Sequence, residues 1–230
     1  MAEFTNRFFG EMSGSFGDVV YRQRNGKNYT AKKPKQYTVP DSEKFKKRTF
    51  TFKLSLNISK IITKIPELKN IWKSNVAKGV TPYQHLISLN YPFLNADSFS
   101  SRIKIVPNNG FGGRIDQCSL TDTELSLSLN PLSAASNINP AAETKIQLFA
   151  LVYLNNPVNE GDPQYAFFSV TSEKITFDLT NPLSFTLVVP TSAADELSAY
   201  KNSKIFFTLV TFDEADTAVN YANTFSYLSK

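Results

Sequence analysis

Cysteine, histidine and tryptophan each occur once in this 230-residue chain, as Cys118, His85 and Trp72. A lone cysteine excludes an intramolecular disulfide, and one His with one Cys cannot furnish a zinc set. Long apolar runs are missing too. Lys, Asn, Ser or Thr interrupts each one before the roughly 20 residues that a spanning helix needs. The first ten residues, Met-Ala-Glu-Phe-Thr-Asn-Arg-Phe-Phe-Gly, do not read as a secretory signal. No membrane insertion is therefore expected. What the chain does hold is 41 % apolar and 20 % charged residues, a balance that suits a folded core.

Charge divides the chain. The net charge of +5 combines a balance of +11 over residues 1–80 with −6 over 81–230. The densest basic strip runs from Arg22 to Lys53, opposed only by Asp41 and Glu43. Such asymmetry suits an anionic partner, which could be nucleic acid, an acidic protein surface or the acidic part of a second copy. The plainer reading is a solvated face that keeps the protein soluble.

Residues 1–17 combine Phe4, Phe8, Phe9 and Phe16 with Gly10, Gly14 and Gly17, a composition suited to an extended arm. The runs 18–24 and 27–33 then flank Asn25-Gly26. Two β-prone runs joined by Asn-Gly predict a hairpin, because a type I′ turn needs positive φ at both central residues. An isolated two-stranded hairpin is marginal in water, so this one is expected to dock on its own domain or on another subunit. Pro34 and Pro40 punctuate a basic linker.

Residues 42–65 carry two conflicting patterns. Phe50, Phe52, Leu54, Leu56 and Ile58 alternate as in a strand, while Phe50, Leu54, Ile58, Ile61 and Ile65 recur at helical spacing. Length decides for helix. Pro66-Glu67 and Thr81-Pro82 open two shorter helices. After Pro92, runs at 101–106, 113–119, 124–129, 144–155, 164–171, 174–179, 183–189, 204–212 and 219–228 read as strands separated by turns. The almost continuously apolar 147–154 and 205–212 are expected at the centres of facing sheets. Residues 131–142 read as a long mobile loop. The expected fold class is α+β. Arm and basic hairpin occupy 1–40, helices 41–95, and an antiparallel immunoglobulin-like β-sandwich 96–230.

Catalytic motifs are scarce. His85 reads as packing on a helix and Cys118 as a small hydrophobe inside a strand, although a Cys–His pair distant in sequence stays open. The glycines of 109–113 resemble a phosphate loop but lack the following Lys-Ser/Thr, so a hairpin turn is expected. Asp213, Asp216, Glu160 and Asp162 lack the spacing of a calcium loop. No enzymatic activity and no cofactor or metal is expected. The candidate contact residues are Arg22, Arg24, Lys27, Lys32, Lys33, Lys35, Lys46, Lys47 and Arg48, with Asn25 and Gly26 as the turn that presents them. Basic and aromatic residues on a ribbon can grip phosphates and stack bases, so nucleic acid is one candidate partner. A hairpin that adds strands to a neighbouring subunit is the other.

One ordered series has a resemblance. It runs from Gly14-Ser-Phe-Gly17 through Tyr21-Arg-Gln-Arg24-Asn-Gly26-Lys27-Asn-Tyr29, Arg48…Phe52 and Ile71-Trp72-Lys73 to Thr81-Pro-Tyr-Gln-His-Leu. Together with Val152-Tyr153-Leu-Asn155, Phe207…Phe212 and Thr224-Phe-Ser-Tyr227-Leu228, it resembles a group of uncharacterised phage- and prophage-type structural proteins. These have a Gly-rich basic N-terminal hairpin module and a C-terminal immunoglobulin-like domain. The resemblance implies a virion or injection-particle component, assembled in the bacterial cytoplasm with other copies of itself or other virion proteins. It carries over no catalytic residues.

Overall fold

The computed structural model describes residues 2–4, 13–24, 27–33, 40–94, 100–132 and 137–228. The chain forms two compact units, Met1–Lys46 and Lys47–Lys230.

The first unit holds more strand than its composition announces. The expected hairpin is there: β3 (Val19–Arg24) pairs antiparallel with β4 (Lys27–Lys32), and Arg24 lies opposite Lys27. The turn residues Asn25 and Gly26 are outside the described residues. The expected arm instead contributes β1 (Ala2–Phe4), beside β4, and β2 (Gly14–Phe16), beside β3. The result is a four-stranded antiparallel sheet in the order β1-β4-β3-β2. Gly14 and Gly17 bracket β2 with φ of 114° and 54°, conformations open to glycine at little cost.

The ambiguous segment is helical: α1 spans Glu43–Lys64, and from Lys47 onward it belongs to the second unit. Leu54, Ile58 and Ile62, spaced by four, are almost fully buried, while Phe52 is exposed. The helical stripe therefore has a core to face and the alternating set does not. α2 (Pro66–Asn75) and α3 (Pro82–Asn90) follow. Thr81 caps α3 through a reciprocal box, accepting from Gln84 N at 3.2 Å while the Gln84 side chain accepts from Thr81 N at 3.3 Å. Among the described residues no helix is long and apolar enough to cross a membrane.

Residues 101–106 are not a strand. Their apolar side chains Ile103, Ile105 and Val106 are buried, but the backbone is irregular and is held by side chains instead. Buried Asn90 donates through Nδ2 to Lys104 O (2.9 Å) and accepts from Lys104 N (2.8 Å). Thr224 Oγ1 accepts from Ile105 N at 3.0 Å, and Trp72 Nε1 donates to Ile105 O at 2.9 Å. Buried backbone groups must be paired, and here distant side chains replace a neighbouring strand.

The remaining strands form two antiparallel sheets. β5 (Ile115–Leu120), β6 (Glu124–Leu129) and β10 (Leu183–Val188) make a three-stranded sheet in the order β10-β6-β5. The larger sheet has β7 (Lys145–Pro157) and β11 (Tyr200–Phe212) at its centre, paired from Phe212 opposite Lys145 to Tyr200 opposite Pro157. β8 (Tyr165–Thr171) and the short β9 (Ile175–Thr176) flank β7. The run read as one strand over 219–228 divides into β12 (Ala218–Tyr221) and β13 (Phe225–Leu228), both paired with β11. An unanticipated helix, α4 (Thr191–Ser198), precedes β11.

The two apolar runs expected at the centres of facing sheets are thus neighbours in one sheet. The reason is that this sheet is covered on both faces. Leu148, Ala150, Val152 and Leu154, with Ile205, Phe207 and Leu209, share a core with Leu125, Leu127, Phe185 and Leu187 of the smaller sheet. Phe149, Leu151, Phe206 and Phe212 face the other way, into a core built with Leu54, Ile58, Ile62, Trp72 and Leu86 of the helices. Strands buried on both faces read as continuous apolar runs rather than alternating ones. Each such side chain contributes roughly 1.5–3 kcal/mol by leaving water. The helices of 47–93 and the strands that follow therefore belong to one body.

Candidate functional site

The register of the N-terminal sheet sorts the basic residues by face. Residues opposite one another on paired strands share a face, so Arg22 with Tyr29, Arg24 with Lys27, and Val20 with Ala31 lie together. The opposite face carries Lys32, with Val19, Tyr21, Asn28 and Thr30. Lys33 follows β4, its backbone N donating to Asp18 O at 2.6 Å. Lys35 is outside the described residues. Lys46, Lys47 and Arg48 belong to α1, where Lys46 Nζ lies 3.0 Å from Asp41 and 3.6 Å from Glu43. Exposed pairs of this kind stabilise by well under 1 kcal/mol, but they do neutralise Lys46.

The structure therefore brings Arg22, Arg24 and Lys27 to one face and separates them from Lys32. Tyr29 joins this set, a residue absent from the expected site. Cross-strand pairing was the signal that could have found it, since Asn-Gly fixes which residues lie opposite. Over residues 13–23, 27–33 and 40–46 of this unit no apolar side chain is buried, and Phe16 is 80 % exposed.

The remaining candidates are structural. His85 packs against Trp72, ring centroids 5.5 Å apart, on the helical side of the larger sheet. Cys118 sits in the core on the other side of that sheet, where burial pushes its thiol up to about 11. The two cannot act as a pair, and a thiol so placed stays protonated at neutral pH. The glycine-rich 109–113 is not a hairpin turn. Phe111 forms a parallel bridge with Ala222, its N donating to Tyr221 O (2.9 Å) and its carbonyl accepting from Asn223 N (2.9 Å). Asp216 Oδ1 takes Lys145 Nζ at 2.9 Å and Lys174 Nζ at 3.4 Å, and these contacts hold its carboxyl below the usual carboxylate range. Among the described residues no three His, Cys, Asp or Glu side chains converge as a metal set.

A cleft of about 580 Å³ opens beside β8. Lys60 and Lys64 of α1 form one wall, and Asp162, Asp195 and Glu196 another. Asn57 Nδ2 donates to Tyr165 Oη at 2.9 Å and Tyr200 Oη donates to Pro163 O at 2.9 Å, fixing both rings at its margin. Burial raises the Glu196 carboxyl; burial together with the charges of Glu196 and Asp162 raises the Tyr200 phenol. The cleft thus presents side chains of both charges. Its lining holds no histidine, cysteine or serine.

No protein-family model and no curated protein matches the chain. Among solved structures, a β-glucosidase from Kluyveromyces marxianus aligns at 8 % identity with a TM-score of 0.24. That alignment covers 71 % of this chain and 17 % of the glucosidase chain, and a likeness of this size carries no argument about fold or activity. The fold itself defines the class: an α+β protein built on antiparallel sheets.

Proposed function

We propose that this chain is a non-enzymatic structural subunit of a phage virion or phage-like particle, assembled in the bacterial cytoplasm, and that it joins its neighbours through the N-terminal arm and hairpin. The observation that carries the reading is the N-terminal sheet, which has four strands, a basic face and, over 13–23 and 27–33, no buried apolar side chain. Strands gain stability by covering a face, and a sheet without a core of its own gains it from a partner. We read the larger unit as an immunoglobulin-like sandwich. Its strand order supports this: β5-β6-β10 corresponds to strands A-B-E, and β8-β7-β11 with β12 and β13 to C′-C-F-G. The resemblance to phage-type structural proteins agrees with both.

The test is replacement of Asn25 and Gly26 by valine in the full chain. Positive φ at two β-branched residues opens the hairpin turn, so assembly seen by negative-stain imaging is expected to disappear while the thermal transition of the larger unit is kept. Wild-type particle formation by the double variant would overturn the reading.

A second reading, nucleic-acid binding, is favoured by the shared face of Arg22, Arg24, Lys27 and Tyr29. Filter binding to arbitrary DNA over a salt series decides it. Three phosphate contacts give a slope of about −3 in log K against log salt. A flat response, or none, excludes it.

A further inference from the structure

β8 is paired with β7 along one side only. Among the described residues its backbone makes no hydrogen bond on the other side. Its sequence, Tyr-Ala-Phe-Phe-Ser-Val-Thr, has no charge, no proline and no glycine. β10, which adjoins it on the same flank, is uncharged as well. The opposite flank is blunted. β5 carries Asp116 and a register shift between Ile115 and Gln117, and β12 and β13 are four residues each, with a shift at Thr211/Phe212 where β12 meets β11. Folded proteins block free edges with such charges, bulges and short strands, because a row of unmade N–H and C=O groups is a template for another strand. One flank here has these devices and the other does not.

The surroundings of β8 say what it fits. Exposed Glu160 and half-buried Asp162 precede it, exposed Glu173 follows it, and Asp195 and Glu196 face it across the cleft. Lys60 and Lys64 are the positive exceptions on the α1 wall, and Lys174 is engaged with Asp216. The N-terminal sheet presents the complement. Among the described residues its edge is β2, Gly14-Ser-Phe16, which is uncharged and carries the exposed Phe16 ring, and the next strand holds Arg22 and Arg24.

We propose that β8 is the acceptor edge for β2 of a second copy, so that the N-terminal sheet of one molecule continues the larger sheet of the next. This rests on the particle-subunit reading above and names its contact. Phe16 anchors beside Tyr165 and Phe167, and the basic strands lie against the acidic collar. Donor and acceptor are different surfaces, so the contact is heterologous and extends into a ring or a filament.

Two full-length variants test it. The donor variant carries Phe16→Ser and Arg22→Ser; the acceptor variant carries Glu160→Lys and Glu173→Lys, both exposed positions. Each alone is expected to self-associate about tenfold more weakly than wild type, or worse, in sedimentation. Mixed together they are expected to form a dimer and stop, since the acceptor variant keeps an intact donor and the donor variant an intact acceptor. Amide exchange at 165–171 is expected to slow in that mixture and in the wild-type assembly. Wild-type assembly with unchanged exchange at 165–171, or a mixture that stays monomeric, overturns the β8 contact and leaves the particle reading standing. A wild-type chain that stays monomeric overturns both.

Discussion

Trp72→Ala is expected to lower the thermal transition of the larger unit by about 10–15 °C, from a loss of roughly 3–5 kcal/mol. Trp72 is 1 % exposed and lies in the core between the helices and the larger sheet. Two losses combine in this variant. The first is the volume of an indole, which its neighbours can only partly refill. The second is the donor for Ile105 O, the carbonyl of a segment that has no neighbouring strand to satisfy it. Trp72→Phe separates them, because it keeps most of the ring and removes the donor. Its expected cost is about 1–3 kcal/mol, the range for a buried carbonyl left unpaired. Calorimetry should rank wild type above Trp72→Phe and Trp72→Phe above Trp72→Ala. A Trp72→Phe transition equal to wild type would mean that the Ile105 carbonyl finds water and that packing alone explains the residue, whereas equal stability for the two variants would mean that the lost donor outweighs the ring.

That same segment shows where sequence stops informing structure. Local signals were legible: Asn25-Gly26 between two β-prone runs, Thr81-Pro82 opening α3, and the apolar period that puts Leu54, Ile58 and Ile62 on one face of α1. Ser126 and Ser128 alternating with Leu125, Leu127 and Leu129 marked β6 to the residue. What was misread depends on partners far along the chain. Residues 101–106 have strand-like side chains, yet their hydrogen bonds go to Asn90 and Thr224, 14 and 119 positions from the groups they meet. β7 and β11 are both apolar on every face, and such a run does not say whether its partner is beside it or opposite. β2 escaped notice because a strand of Gly-Ser-Phe has almost no propensity of its own and is made by pairing with β3. The basic site was half legible. Its charges stand in the sequence, but the grouping of Arg22 with Lys27 and Tyr29, away from Lys32, exists only in the register.

Glycine 110 gives the sharpest contrast between neighbours. A Cβ at Gly110 would lie 2.6 Å from Ala222 C and Tyr221 O and 2.7 Å from Asn223 N, all backbone atoms with little freedom to yield. The approach is tight because the two segments are joined. Gly110 N donates to Asn223 Oδ1 at 3.2 Å, and Asn223 Nδ2 donates to Gly110 O at 2.8 Å. Phe111 continues the contact through its bridge to Ala222. Gly110→Ala must push 221–223 away from 110–111, loosening the junction between β12 and β13. Overpacking of this kind costs about 1–3 kcal/mol, and the broken bridge adds to it, so a fall of about 5–10 °C in the thermal transition is expected. Gly112→Ala is the matched control. It adds the same methyl group two residues on, where nothing lies within 4 Å. Its transition is expected to stay within about 2 °C of wild type. Equal losses from the two substitutions would show that backbone freedom across the whole 109–113 run matters, and not the space between Gly110 and the chain at 221–223.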